Sequence, residues 1–384
     1  MTKPAARTAP GSLARGTVLA AASLTIMAPA IIAPSLPAME QAFGAGLVVR
    51  LAMTLTSLMI GISAPLAGLL ADRIGRRPVL VAALLLYALA GTAGFFVTDL
   101  PVLLVTRALL GVAVGGVMTA VTATITDWFD GPDRASFLGL QQAFASLGGV
   151  VFLPLAGVLA TLGWRVPFWL YAVAAVVALL AIAAVHDRPR PPGLRTGSKL
   201  PGRALGIYAV ALAATLVFYM GPTQVPFLLT APALVGFVVA GSTLSSAVAA
   251  FSFPALRRRL RSPVITAVSI GLLGLGWVVV GLAGDAVGAA VGLLVGGTGV
   301  GFAVPNLTLR LSELASPERR GRVLSGLVTA IFLGQFFSPL LVEPVVHAVG
   351  VGGAFWWAGF AATASAVLGG VFSSKGRKFD DLPR

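Results

Sequence analysis

Gly68-Leu-Leu-Ala-Asp72-Arg73-Ile-Gly75-Arg76-Arg77-Pro78 is a dense polar stretch in a chain that is otherwise mostly apolar. It sets a carboxylate and three guanidiniums between two uncharged runs, from Leu51 to Ala71 and from Pro78 to Thr98. Each run is long enough to cross a bilayer as a helix, since about 20 apolar residues span the hydrocarbon core. The stretch is therefore a very short loop joining two membrane helices at one face, and its charge is more than a spacer requires.

Composition agrees. Hydrophobic residues make up 57% of the 384 and charged residues 10%, with a mean hydropathy of +0.95. Soluble domains carry about 25% charged residues, so the chain reads as an all-α, polytopic membrane protein. A formal charge of +14 would suggest nucleic acid in a soluble protein. Here the basic residues fall in short clusters between apolar runs, as cytoplasmic loops do, and no nucleic-acid partner is expected. With no cysteine there is no disulfide, thiolate metal site or cysteine nucleophile. Only His186 and His347 remain for imidazole chemistry. No enzyme activity, cofactor or metal is expected.

Taken in order, a basic tail (1–15) precedes helix 1, which runs uncharged from Gly16 to Met39. That is about twice the 7–15 residues of a signal-peptide apolar core, so it reads as an uncleaved span. Pro29, Pro34 and Pro37 break its second half, which can bend and line a cavity or gate. Helix 2 is expected over about Leu47–Ala71, helix 3 over Val79–Val97, helix 4 over Pro101–Thr126, helix 5 within Ala135–Thr161 and helix 6 within Val166–Val185. Residues 186–203, rich in Pro, Gly and positive charge, form a linker between an N-terminal unit (16–185) and a C-terminal unit (204–373). Helices 7 and 8 share the uncharged stretch from Ala204 to Leu256, with the turn expected at Gly221-Pro-Thr-Gln-Val-Pro226. Helix 9 (about Pro263–Leu282), helix 10 (Ala286–Leu311), helix 11 (Val323–Val346) and helix 12 (Gly353–Phe372) follow, then a charged tail (374–384). All Lys and Arg other than Arg50, Arg107, Arg165 and Arg310 fall in the tails, the linker or the even-numbered loops. Under the positive-inside rule both termini are cytoplasmic.

The two units repeat at an offset of about 185 residues. Arg76-Arg-Pro-Val79 aligns with Arg261-Ser-Pro-Val264, Phe152-Leu-Pro154 with Phe337-Ser-Pro339, and Pro167-Phe168-Trp169 with Ala354-Phe355-Trp356. Two six-helix bundles of parallel topology place a substrate between them near the midplane.

On these residues the chain resembles a major facilitator superfamily transporter over essentially its full length. The loop matches that family's signature at Gly68, Leu70, Asp72, Arg73, Gly75, Arg76 and Arg77, and helix 4 resembles a second signature at Arg107, Gly111 and Gly115. Helix 5, with Gly149, Pro154 and Gly157, partly resembles the antiporter signature, with Leu153 where a glycine precedes the proline. The resemblance is nearest the bacterial drug and metabolite efflux branch of drug:proton antiporters. It implies twelve helices as two pseudo-symmetric bundles and a location in the bacterial inner membrane. It also implies that Asp72 latches the two halves on the cytoplasmic side in the outward-facing state, with helix 11 as partner.

The residues carry further expectations. Gly68 lets helix 2 approach a neighbour and Gly75 permits the tight turn, while Asp72 is placed to meet a helix N-terminus or an arginine. Arg107 lies about two turns inside the membrane, where an arginine is costly and functional by default. It could snorkel outward, or bind an anionic substrate as counter-charge, which would make the protein an organic-anion carrier. Gly111 and Gly115 share a helix face and allow close packing. No Asp or Glu falls mid-helix, so proton coupling would use Glu343 or a carboxylate near an interface. Gln141, Gln142 and Ser146 on helix 5, Tyr219 on helix 7, Asn306 on helix 10 and Gln335 and Ser338 on helix 11 are candidates either for substrate contact or for packing. Few charges with many Phe and Met favour a small amphipathic organic substrate, carried by a single copy in the bilayer. A non-transporting receptor or scaffold on this fold is the remaining class.

Overall fold

The computed structural model describes residues 10–44, 46–187, 202–283, 285–315 and 320–375. The tails and most of the linker thus lie outside the described residues. The remainder is helical throughout, as hydrocarbon demands: with no water to satisfy them, backbone groups must pair within each segment.

Helix 1 is Ser12–Ala30, continued by a 3-10 turn at Ala33–Ser35 and a short helix Leu36–Phe43, so the three prolines do bend its far half. Helix 2 spans Gly46–Ile74, helix 3 Arg76–Ala93, helix 4 Leu100–Trp128 and helix 5 Gly131–Ala160. Helix 6 opens as a 3-10 turn, Val166–Ala172, and continues over Val173–Ala184. Helix 7 runs Gly202–Phe218 and goes on through Met220–Gln224 and Val225–Phe227. The Gly221–Pro226 cluster is thus the broken end of helix 7, and the turn comes after Phe227. Its prolines bend that segment while the lining helices keep it buried. Helices 8, 9 and 10 are Pro232–Arg259, Ser262–Ala283 and Ala286–Leu314. Helices 11 and 12 form one helical stretch, Arg320–Lys375, folded back at Gly350, whose φ of 75° and ψ of 169° no helix tolerates. The eleven apolar segments long enough to cross a membrane therefore make twelve crossings among the described residues, because the last contains this fold.

Each half has its own apolar core, and the repeat is visible in it: Phe168 and Phe355 are both fully buried. Exposed Leu89, Leu179, Leu275 and Val367 form the outward faces that a bilayer would cover. The halves meet along helix 5 against helix 8 and helix 2 against helix 11. The first seam is built on glycine. A Cβ on Gly157 would come within 2.7 Å of the Pro232 carbonyl oxygen and 3.0 Å of Gly236 Cα, and one on Gly149 within 2.8 Å of Thr243. Pro154 sits between them inside an unbroken helix 5.

Candidate functional site

Two ends of the bundle must be distinguished: the loop end, where residues 72–77 lie, and the far end. At the far end one charged cluster ties four helices. Arg50, at the start of helix 2, is 4% exposed and its Nη1 donates to Glu343 Oε1 on helix 11 at 2.8 Å. Glu40, from the bent end of helix 1, lies 3.6 Å from the same guanidinium. The Phe227 ring, from the broken end of helix 7, sits under it at 4.1 Å. His347, one turn beyond Glu343, approaches Oε1 at 3.7 Å. Gly46 makes room: a Cβ there would come within 2.6 Å of Glu40 Oε1. Glu343 is only 7% exposed, and its second oxygen, Oε2, is buried without a donor among the described residues. Breaking a buried ion pair by removing one partner is costly, because it strands a charge away from water. This cluster holds the two halves together at the far end.

Beneath it, toward the middle of the bundle, lies a belt of buried polar groups. Ser57 on helix 2 donates to Gln335 Oε1 on helix 11 at 2.7 Å, a second bond between the halves. Its hydroxyl also lies beside the phenol of Tyr219 on helix 7, without a well-aligned bond. Thr54, one turn from Ser57, and Ser338, one turn from Gln335, are fully buried, and neither side-chain oxygen has a partner among the described residues. In the broken part of helix 7, Gln224 is fully buried, and neither amide atom has a partner among the described residues. Buried polar atoms left this way are few in a settled core, so the belt is suited to a polar guest or to water.

At the loop end the arrangement reverses. A cavity of about 410 Å³ opens between Gly61, Thr119 and Thr122 of the first half and Ser325, Val328 and Thr329 of the second. Asp72 has a 65% exposed side chain and pairs at 2.8 Å with Arg76, four residues on. Among the described residues its ion-pair partner is Arg76 alone; Glu318 and Arg319 before helix 11, and the side chains of Arg320 and Arg322 at its start, lie outside them. Arg76 is the hub, held also by Asp127 at 2.9 Å and the Ala71 carbonyl at 2.6 Å. Gly75 has φ of 101°, where a side chain is strained, and a Cβ there would also strike the Asp187 carboxylate. Asp187, which the linker had absorbed in the sequence reading, caps helix 3: its Oδ1 accepts from the amides of Arg76 and Arg77 at 2.7 and 2.9 Å. A carboxylate on helix N-terminal amides is electrostatically favoured. Arg77 reaches the Ile182 carbonyl, and Arg73 is exposed. Gly68 is less constrained than expected, since a Cβ would meet only Thr119 at an ordinary 3.5 Å.

Several expected site residues fall elsewhere. Arg107 neither snorkels nor faces the space between the halves. It is 1% exposed inside the first half, where Nη2 donates to the Ala90 and Gly91 carbonyls at 3.1 and 3.0 Å and the guanidinium packs against Phe168 and Tyr171 at 4.9 and 5.1 Å. This explains how an intramembrane cation is tolerated: carbonyls and ring faces replace its hydration. Gly111 and Gly115 do allow close packing, against the Thr56 carbonyl and Ser63 of helix 2. Asn306 is fully buried and spends its amide on Ser262 and Thr266 of helix 9, a packing role. Gln141 donates to Thr122 at 3.2 Å, Gln142 is exposed and Ser146 is partly buried. Of the residues sequence reasoning singled out, Tyr219, Gln335, Ser338 and Glu343 come together; Arg50, Thr54, Ser57 and Gln224 were missed. The available signal was that Glu40, Arg50, Glu343 and His347, of opposite charge types, flank predicted helix ends on one face.

A model of the Major Facilitator Superfamily matches residues 18–339. The chain superposes on an inward-open structure of the xylose transporter XylE from E. coli with a TM-score of 0.75, at 16% identity, covering 92% of this chain and 94% of that one. Among curated relatives, a triacylglyceride transporter of Mycobacteroides abscessus is 34% identical over 38% of this chain and 30% of its own length. A puromycin resistance protein of Streptomyces alboniger is 31% identical over 49% of this chain and 38% of its own. A niacin/nicotinamide transporter of Bacillus subtilis, described as putative, is 28% identical over 36% of this chain and 34% of its own. The matched segments thus span about a third of these relatives.

Proposed function

The chain belongs to the Major Facilitator Superfamily, and from that premise we propose that it exports small amphipathic organic compounds by alternating access, coupled to protons. The observation that carries the alternating part is the opposite condition of the two ends. Buried Arg50 and Glu343 join the halves at the far end, while at the loop end Asp72 is exposed beside an open cavity. Alternation then exchanges one set of contacts for the other, with Asp72 meeting helix 11 when the far end opens. Both termini lie on the cytoplasmic side of a bacterial inner membrane, following the basic loops.

Glu343 is the coupling carboxylate in this reading. A proton on its partnerless Oε2 removes the charge that binds Arg50, so protonation and far-end opening are linked. Substrate lies below, against Ser57, Tyr219, Gln224, Gln335 and Ser338, with apolar walls around these few polar groups, the usual make-up of a small-molecule site. The organic-anion alternative loses its residue, since Arg107 is enclosed within one half.

Everted membrane vesicles test this. With an imposed proton gradient they should accumulate an amphipathic dye such as ethidium, and Glu343→Gln or Ser57→Ala should abolish that accumulation. Accumulation that is indifferent to the gradient, or movement in the opposite direction, refutes the reading.

A further inference from the structure

The two halves are not equally filled. In the first, two tyrosines seal helix 1 against helices 3 and 6: Tyr87 donates to the Leu24 carbonyl and Tyr171 to the Ala28 carbonyl, each at 2.8 Å. The repeat that equates Phe168 with Phe355 places Ala358 where Tyr171 stands. In the second half a crevice of about 540 Å³ accordingly remains between helix 7 and helices 9 and 12, walled by Ala214, Ile270, Leu273, Ala358 and Ala362. Trp277 stacks on Phe218 and donates its indole N–H to the carbonyl of Val217, one of the lining residues. Apolar cavities of about 150 Å³ already take up a benzene-sized guest, so a space of this size and chemistry has room for a longer apolar one.

Its lower end changes character. There it runs into a second, more polar space of about 630 Å³ that shares Val210 and Arg310 and adds Ser262 and Glu313. Arg310 and Glu313 stand one turn apart at the end of helix 10, and Ser262, which shares this lining, is committed to Asn306. Along helix 9 the wall, apolar but for Thr266, runs from Pro263 to Leu273, eleven residues and so about 15 Å from first to last at 1.5 Å rise per residue. That is half of the roughly 30 Å hydrocarbon core, the depth of one leaflet.

We propose that this crevice holds an acyl chain of a bilayer aminophospholipid, with the phosphate on Arg310 and the primary ammonium on Glu313. The guanidinium matches a phosphate, and the neighbouring carboxylate selects a zwitterionic headgroup over a purely anionic one. The site lies behind helix 7 within one half, so it does not depend on the transport reading.

Native mass spectrometry of the purified full chain, offered equimolar dioleoyl phosphatidylethanolamine, phosphatidylglycerol and phosphatidylcholine, tests it. One phosphatidylethanolamine should be retained in preference to the others. Arg310→Gln should lower its occupancy at least tenfold, and Glu313→Gln should move the preference toward phosphatidylglycerol. Ala358→Tyr, which rebuilds the packing of the first half, should abolish retention while leaving the unfolding temperature in detergent unchanged or higher. If that variant misfolds, Ala362→Leu narrows the same wall and should have the same effect. Retention of no lipid, equal retention of all three, or retention undiminished when the crevice is filled overturns the proposal.

Discussion

Replacing Glu343 with Gln removes the charge that bridges the halves while keeping the side chain's shape. At 2.8 Å the attraction to Arg50 is about 6 kcal/mol before desolvation, at an effective dielectric constant near 20. Stranding a buried charge in this way costs about 3–5 kcal/mol in total. Here Glu40 remains 3.6 Å from the guanidinium and still balances it, although its 36% exposed side chain is partly screened by solvent. The closed far end should thus lose about 2–3 kcal/mol, a roughly 30- to 150-fold shift in the equilibrium between the two end states. A closed-end population of nine to one would be inverted. The chain has no cysteine, so spin labels can be placed at Leu162→Cys and Val287→Cys, exposed positions at the far end of the two halves. Pulsed dipolar spectroscopy should show a longer distance gaining population in the Glu343→Gln protein. Arg50→Gln should act in the same direction, and the double variant should cost less than the sum of the two, as expected for partners in direct contact. An unchanged distance distribution in Glu343→Gln, or strict additivity, would show that the pair does not hold this end closed.

Three further outcomes follow from the geometry. Gly157→Leu should also lengthen the far-end distance, because a side chain there has no room between helices 5 and 8; an unaltered distance with normal expression would mean that the seam repacks. Gly75→Ala should cost about 1–2 kcal/mol for the left-handed backbone alone, with more from the Asp187 contact, read as a lower unfolding temperature in detergent; no change would remove the case for a constrained loop. Arg107→Leu should lower stability through the lost bonds of a charged donor, about 1.5–3 kcal/mol, while leaving substrate KM within twofold. A tenfold rise in KM for anions at unchanged stability would restore Arg107 to the substrate site.

Hydropathy and punctuation carried the chain as far as twelve helices in two bundles, because a bilayer imposes its demand segment by segment: each span must be apolar and must satisfy its own backbone. The break in helix 1 was legible for the same local reason, in three prolines. Helix 7 was misread at Gly221–Pro226 because the same residue types mark a turn in water and a bend in a buried helix. The loop at residues 68–78 could be found from its charges, yet its cap, Asp187, lies 111 residues from Arg76 and could not. Arg107 looked functional because the cost of a buried cation is visible in sequence, whereas the carbonyls and rings that satisfy it belong to helices 3 and 6. The far-end closure shows the difference most plainly. Arg50 and Glu343 are 293 residues apart and each sits at the end of an ordinary apolar helix. Sequence determined that both would lie near one membrane face. Only the packing of helix 2 against helix 11 decided that they would meet, because the strength of an ion pair is set by a distance between side chains and by the water excluded around them.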